Sequence, residues 1–151
     1  MCFNRVRRGV EMLAAMLTVS TGIFAAVVYV DKDNSSGIED GASWATAFTT
    51  LQPAMDAATP NDSVWIAAGT YDEQRDSSLY GAVYIKSKLH VFGGFDGTET
   101  SLSQRDAASR ETIVDGSKSY EGGAAPCVII TTDDVEIDGL TIQGGRALGN
   151  I

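Results

Sequence analysis

The residues best suited to chemistry are four carboxylates set close together: Asp133, Asp134, Glu136 and Asp138. Hard cations such as Ca²⁺ take oxygen ligands of this kind. Paired carboxylates also serve as acid and base in glycoside hydrolysis. The cluster is therefore a candidate calcium site or acid pair. The plainer alternative is a solvated turn with polar outward positions, because the neighbouring sequence supplies no basic partner. Val135 and Ile137 alternate with Glu136, so along a strand the two apolar side chains point inward and Glu136 points out.

Other reactive residue types are sparse. The run Asp31–Asp40 is rich in oxygen, but its glycine, Gly37, falls at the seventh and not the sixth position of an EF-hand loop, the twelfth residue is Ala42 and not glutamate, and an ordinary turn accounts for it. His90 is the only histidine and lies between Leu89 and Val91, which directs it outward from a strand. A lone histidine makes neither a triad nor a zinc site. Cys2 falls in the leading segment and Cys127 in an apolar run, so the remaining chain has no internal disulfide, and burial is the expected role of Cys127. Arg105 and Arg110 stand beside Asp106 and Glu111, which suggests salt bridging. Trp44, Trp65, Tyr71 and Tyr84 are of a type that stacks on sugars, although Trp44 is expected to pack a helix onto the sheet. No phosphate-binding or dinucleotide fingerprint occurs.

The elements that would position these residues are short. Phe48, Leu51, Met55 and Ala58 fall on one helical face, with Thr50 as N-cap and Thr59-Pro60-Asn61-Asp62 as the stop. Strands are expected at Val27–Asp31, Val64–Ala67, Val83–Ile85, Leu89–Phe92, Thr112–Val114, Cys127–Thr131, Val135–Ile137 and Leu140–Ile142, most of them closed by glycine turns such as Gly93-Gly94. Val64, Leu89, Thr112 and Val135 recur at intervals of 25, 23 and 23 residues. A period of that size built from short strands predicts a solenoid, and the missing leucine-rich pattern favours a right-handed parallel β-helix. An amphipathic helix would then cap the open first coil.

The chain has 151 residues, 11 Lys plus Arg against 20 Asp plus Glu, and a net charge of −9. Such an acidic balance argues against nucleic acid as a partner, because that affinity rests on neutralising phosphates. Arg5, Arg7 and Arg8 precede an apolar run from Met12 to Ala26, which predicts a signal peptide over residues 1–26. The first 26 residues carry a net +2, which leaves −11 for residues 27–151.

The blocks DGASWATAFTTLQPAMDAATPNDSVWIAAGTY (40–71), VFGGFDGTETSLSQRD (91–106), TIVDG (112–116) and VEIDGLTIQGG (135–145) resemble the N-terminal part of secreted bacterial right-handed parallel β-helix proteins. These are the pectin-lyase-like superfamily, including polymorphic outer-membrane-type surface proteins. The resemblance implies an all-β solenoid with one N-terminal capping α-helix, and a secreted, extracellular or outer-surface location with polysaccharide or surface glycans as partners. Lyases of this fold place calcium on strand-face carboxylates, which is the basis for a Ca²⁺ cofactor here. Asp133-Asp134 is similar to the acidic pair of polygalacturonase-like hydrolases, but their Gly-His-Gly element is missing. The expected function is an adhesin-like scaffold, the capping portion of a β-helix, with no catalytic residue assigned and the last coil left as an edge. The alternatives are a fragment of a polysaccharide lyase or glycoside hydrolase with later catalytic coils, and a calcium-dependent glycan-binding module.

Overall fold

The computed structural model describes residues 25–76, 80–120 and 125–147. The expected signal peptide lies almost wholly outside them. Alternating β-branched and aromatic residues build nine short strands: β1 (Val27–Val30), β2 (Ser63–Ala67), β3 (Gly69–Tyr71), β4 (Val83–Ile85), β5 (His90–Phe95), β6 (Thr112–Asp115), β7 (Val128–Ile130), β8 (Glu136–Asp138) and β9 (Thr141–Gln143). The protein is mostly β. The strands form three parallel sheets, ordered β1-β2-β5-β8, β3-β6-β9 and β4-β7. From β2 onward the chain visits the first, second and third sheet in turn, repeats the circuit, and then enters the first and second again. Among the described residues, no helix is long and apolar enough to cross a membrane.

One core draws on all three sheets. Val28, Val30, Val64, Ile66 and Val91 come from the first sheet, Tyr71 and Val114 from the second, Val83 and Ile85 from the third. The opposite face of the first sheet carries a separate aromatic cluster, in which Trp65 stacks on Phe95 at 4.7 Å. Trp44 belongs to this cluster, 4.7 Å from Tyr29 and 5.6 Å from Phe95. It does not pack the helix as its position suggested, because the segment after Gly41 carries it to the outer face.

Helix α1 spans Leu51–Ala57 and buries Leu51, Ala54 and Met55 in the main core. Its N-cap is Thr50, yet the hydroxyl makes no capping bond. Glu73 replaces it, its Oε1 accepting the Leu51 N–H at 3.0 Å. Phe48, assigned by periodicity to the helical face, precedes the helix in extended chain and bridges Val30 in parallel. The Tyr29 N–H donates to Gly41 O and the Phe48 N–H to Tyr29 O, so residues 41–48 occupy the outer edge of β1.

The even period of the sequence proves to mix two sheets. Val64 pairs with Val91 and Val91 with Ile137, but Thr112 pairs with Gly69 in the second sheet. Gly93 and Gly94, expected to turn the chain, lie inside β5 and let the neighbouring backbone come close.

Asp62 joins the helix exit to β2. Its buried carboxylate accepts the Ala26 N–H at 2.7 Å, the Thr59 N–H at 2.8 Å and the Thr59 hydroxyl at 2.7 Å. Burial pushes its pKa up, and these three donors more than reverse that, holding it below the ordinary carboxylate range. A lowered folded-state pKa stabilises the protein above the unfolded value, near 3.9, and the benefit fades as pH falls through the folded value. Asp62→Asn is therefore expected to cost about 2 kcal/mol at neutral pH. Urea unfolding should show the gap to the native chain closing below about pH 4; a gap independent of pH would contradict this.

Candidate functional site

The four carboxylates do not converge. Asp134 pairs with Lys88 at 3.3 Å, Glu136 with His90 Nδ1 at 2.8 Å, and Asp138 with Arg105. The register of β5 against β8 sets this spacing, with His90 opposite Glu136 and Phe92 opposite Asp138. Three of the four carboxylates thus meet basic side chains 33 to 46 residues away in sequence. Among the described residues, no group of three or more His, Cys, Asp or Glu could hold a metal ion. The oxygens of the 31–40 loop are likewise engaged locally. Asp31 Oδ1 accepts the Asp33 N–H, Asp40 Oδ1 accepts the Ala42 N–H, and Asn34 donates to Ile38 O and Ala47 O. This is turn chemistry.

Arg105 is the best-anchored cation of the row. Its guanidinium lies 5.2 Å from the Phe92 ring centroid, donates to Gly93 O at 3.3 Å and pairs with Asp138. The Arg105 pairing holds the Asp138 carboxyl below its ordinary pKa. Arg105→Ala is expected to cost about 2 kcal/mol, the sum of a partly buried ion pair and a cation–π contact. Lys88→Ala should change stability by less than about 0.5 kcal/mol, because that pair is solvated. Equal effects in chemical denaturation would refute the distinction.

Arg110 does not pair with the neighbours that its sequence position suggested. It meets Asp96 at 2.6 Å and Glu99 at 2.7 Å. Glu99 is buried and also accepts the N–H groups of Asp96, Gly97 and Thr98. The Trp44 indole N–H donates to Glu99 O at 2.9 Å. Residues 96–106 are thereby tied to the aromatic cluster through Trp44, and the capping box of Ser101 and Gln104 orders the segment. Glu99 had only one signal in sequence, a lone acid in a Gly-Thr-Glu-Thr turn.

The remaining singled-out residues are structural. Trp65 and Tyr71 are buried, and the Tyr71 hydroxyl donates to Ala67 O. Burial raises the Tyr71 pKa far above its usual value. Cys127 is buried, and its thiol donates to Gln143 O at 2.7 Å.

A second location gathers polar groups that sequence reasoning did not connect. A groove of about 290 Å³ runs between α1 and the chain after β3, with Gln52 and Asp56 on one side and Glu73, Gln74 and Arg75 on the other. Gln52 clamps β4, donating to Tyr84 O at 3.1 Å and accepting the Tyr84 N–H at 2.9 Å. The Arg75 N–H donates to Ser119 O, which fixes that wall. Among the described residues, Glu73 Oε2 and Arg75 Nη1 are buried without a hydrogen-bond partner. Burial raises the Glu73 pKa above its ordinary value, against the opposing Leu51 N–H.

No family model matches the chain, and no curated protein or solved structure is significantly similar to it.

Proposed function

We propose that this chain is a capped right-handed parallel β-helix of the pectin-lyase-like kind, serving as a secreted or cell-surface adhesion scaffold that meets glycans and has no complete active site of its own. The observation that carries this reading is the cyclic order of the strands. The chain returns to the same sheet after visiting the other two, always with parallel pairing. That order supports stacked coils around the shared core. The segment 41–48 along β1, with α1 beneath it, supports the capping role. The carboxylates that suggested calcium or acid–base chemistry are engaged in pairs between neighbouring strands, which favours a structural face over a catalytic one.

The test is made on the native producing cells. Protease added to intact cells should remove the protein, and deleting its gene should lower attachment to glycan-coated surfaces. A protein that survives shaving, or attachment unchanged by deletion, would refute the reading. Release of unsaturated or reducing sugars by the purified chain would favour the lyase or hydrolase alternative.

A further inference from the structure

We propose that the groove between α1 and the chain after β3 binds a neutral saccharide, with Glu73 and Arg75 taking two adjacent ring hydroxyls. The first support is the pair of unpartnered atoms. Glu73 Oε2 is an acceptor and Arg75 Nη1 a donor, both buried in residues that line one groove. Buried polar atoms without partners are rare and destabilising, so a wall holding two of opposite kind calls for a ligand that offers both roles. Vicinal hydroxyls do so: one donates to Glu73 Oε2 while its neighbour accepts from Arg75 Nη1. Both atoms are buried, so binding requires the two side chains to turn toward the groove.

Charge selects a neutral ligand. Asp56 and Glu73 are offset by Arg75 and by Lys86, which pairs with Asp56 at 2.6 Å. The net charge of −9 repels polyanions. Size limits the contact to one or two sugar rings, since about 290 Å³ lies at the lower end of small-molecule sites. Apolar area lies nearby in the chain, on either side of the groove-lining Ala82. Tyr80 is 48% exposed and its ring lies 5.5 Å from that of Tyr84, on the strand that Gln52 clamps to the groove. The C–H face of a sugar ring packs on such aromatic surfaces while its hydroxyls reach the polar wall. A peptide could also offer a donor and an acceptor, but the tyrosine pair and the small volume favour the sugar.

The purified chain is screened on an array of neutral glycans, and cellohexaose, xylohexaose, mannohexaose and maltohexaose are titrated by calorimetry and amide chemical-shift mapping. At least one neutral glycan should bind, with shifts at Gln52, Gln74 and Ala82. Glu73→Gln and Arg75→Met should each weaken it by about tenfold, the loss of one hydrogen bond to a charged group. Tyr80→Ala should weaken it several-fold, and Lys88→Ala, whose side chain pairs with Asp134 and does not line the groove, should leave it unchanged. Melting curves of all four variants confirm folding. Three results would overturn the proposal: no binding across the array, binding insensitive to Glu73→Gln, Arg75→Met and Tyr80→Ala, or shifts that map elsewhere. Binding of short peptides in place of glycans would overturn it too. The test needs no surface location, so its failure leaves the scaffold reading standing.

Discussion

Gly93→Ala is expected to destabilise the protein by about 3 kcal/mol, the upper range for inserting a methyl into packed surroundings. A Cβ there would collide with the backbone carbonyl of Gly139, and would sit 2.6 Å from Leu140 Cδ2 and 2.9 Å from Thr112 Cβ. The obstacle is space, since Gly93 has no positive φ. The carbonyl belongs to backbone just after β8, so relief requires β5 and β8 to separate or slide. That movement would also strain the Arg105–Asp138 pair and the His90–Glu136 pair. Gly97→Ala makes the contrast. Its φ is +90 but its nearest atom would be Asp31 Oδ2 at 3.3 Å, so a cost of about 1 kcal/mol is expected from conformation. Thermal unfolding by circular dichroism separates the two, with a drop of about 10 °C expected for Gly93→Ala. A melting point unchanged by Gly93→Ala would mean that the spacing of β5 and β8 is not fixed as described.

Glu99→Ala is expected to cost about 4 kcal/mol, as for removal of one member of a buried ion pair. The carboxylate accepts three consecutive backbone N–H groups, at 2.8 to 3.2 Å, and the Arg110 guanidinium at 2.7 Å. Truncation leaves the Asp96 and Gly97 N–H groups without this acceptor, the Thr98 N–H with Asp96 Oδ1 alone, and Arg110 with Asp96 alone as its acid partner. Glu99→Gln retains an acceptor and should cost about half as much. The damage should be local first. Residues 96–106 are tied to the aromatic cluster through the Trp44 indole, which donates to Glu99 O, and through Arg105 over the Phe92 ring, so their loosening is expected to admit water to that cluster. Tryptophan fluorescence should shift to longer wavelength, and trypsin should cut at Arg105 in the variant well before the core unfolds. Cleavage and unfolding that occur together would show that Glu99 holds the whole fold and not this loop.

Alternation of side chains disclosed the strands, because one-sided burial leaves its mark on every run such as VVYV or VWIA. It could not disclose their partners. Thr112 and Leu89 begin runs of the same local character, yet one joins the second sheet and the other leads into the first. Register is a property of two segments far apart, and a single run does not contain it. The same gap hid the ion pairs. His90 seemed isolated because Glu136 lies 46 residues away. Thr50 met the composition rule for a helix cap, but a distant carboxylate took the bond. The Glu73–Arg75 groove left no pattern at all, since its walls meet only after α1, β3 and β4 have folded together.

The parallel pairing has a kinetic side. No two consecutive strands of one sheet are joined by a tight turn; paired residues stand at least 27 positions apart, and 46 for β5 and β8. Synthesis at about 5–20 residues per second means each strand waits on the order of seconds for the segment that covers it. Contacts so distant in sequence also form slowly. One edge of β1 has a nearer partner, since residues 41–48 lie along it and precede β2 in the chain. Growth then proceeds in one direction, and the newest strand is always the unpaired one. A chaperone that guards this protein during folding has a narrow target, the one strand edge still uncovered.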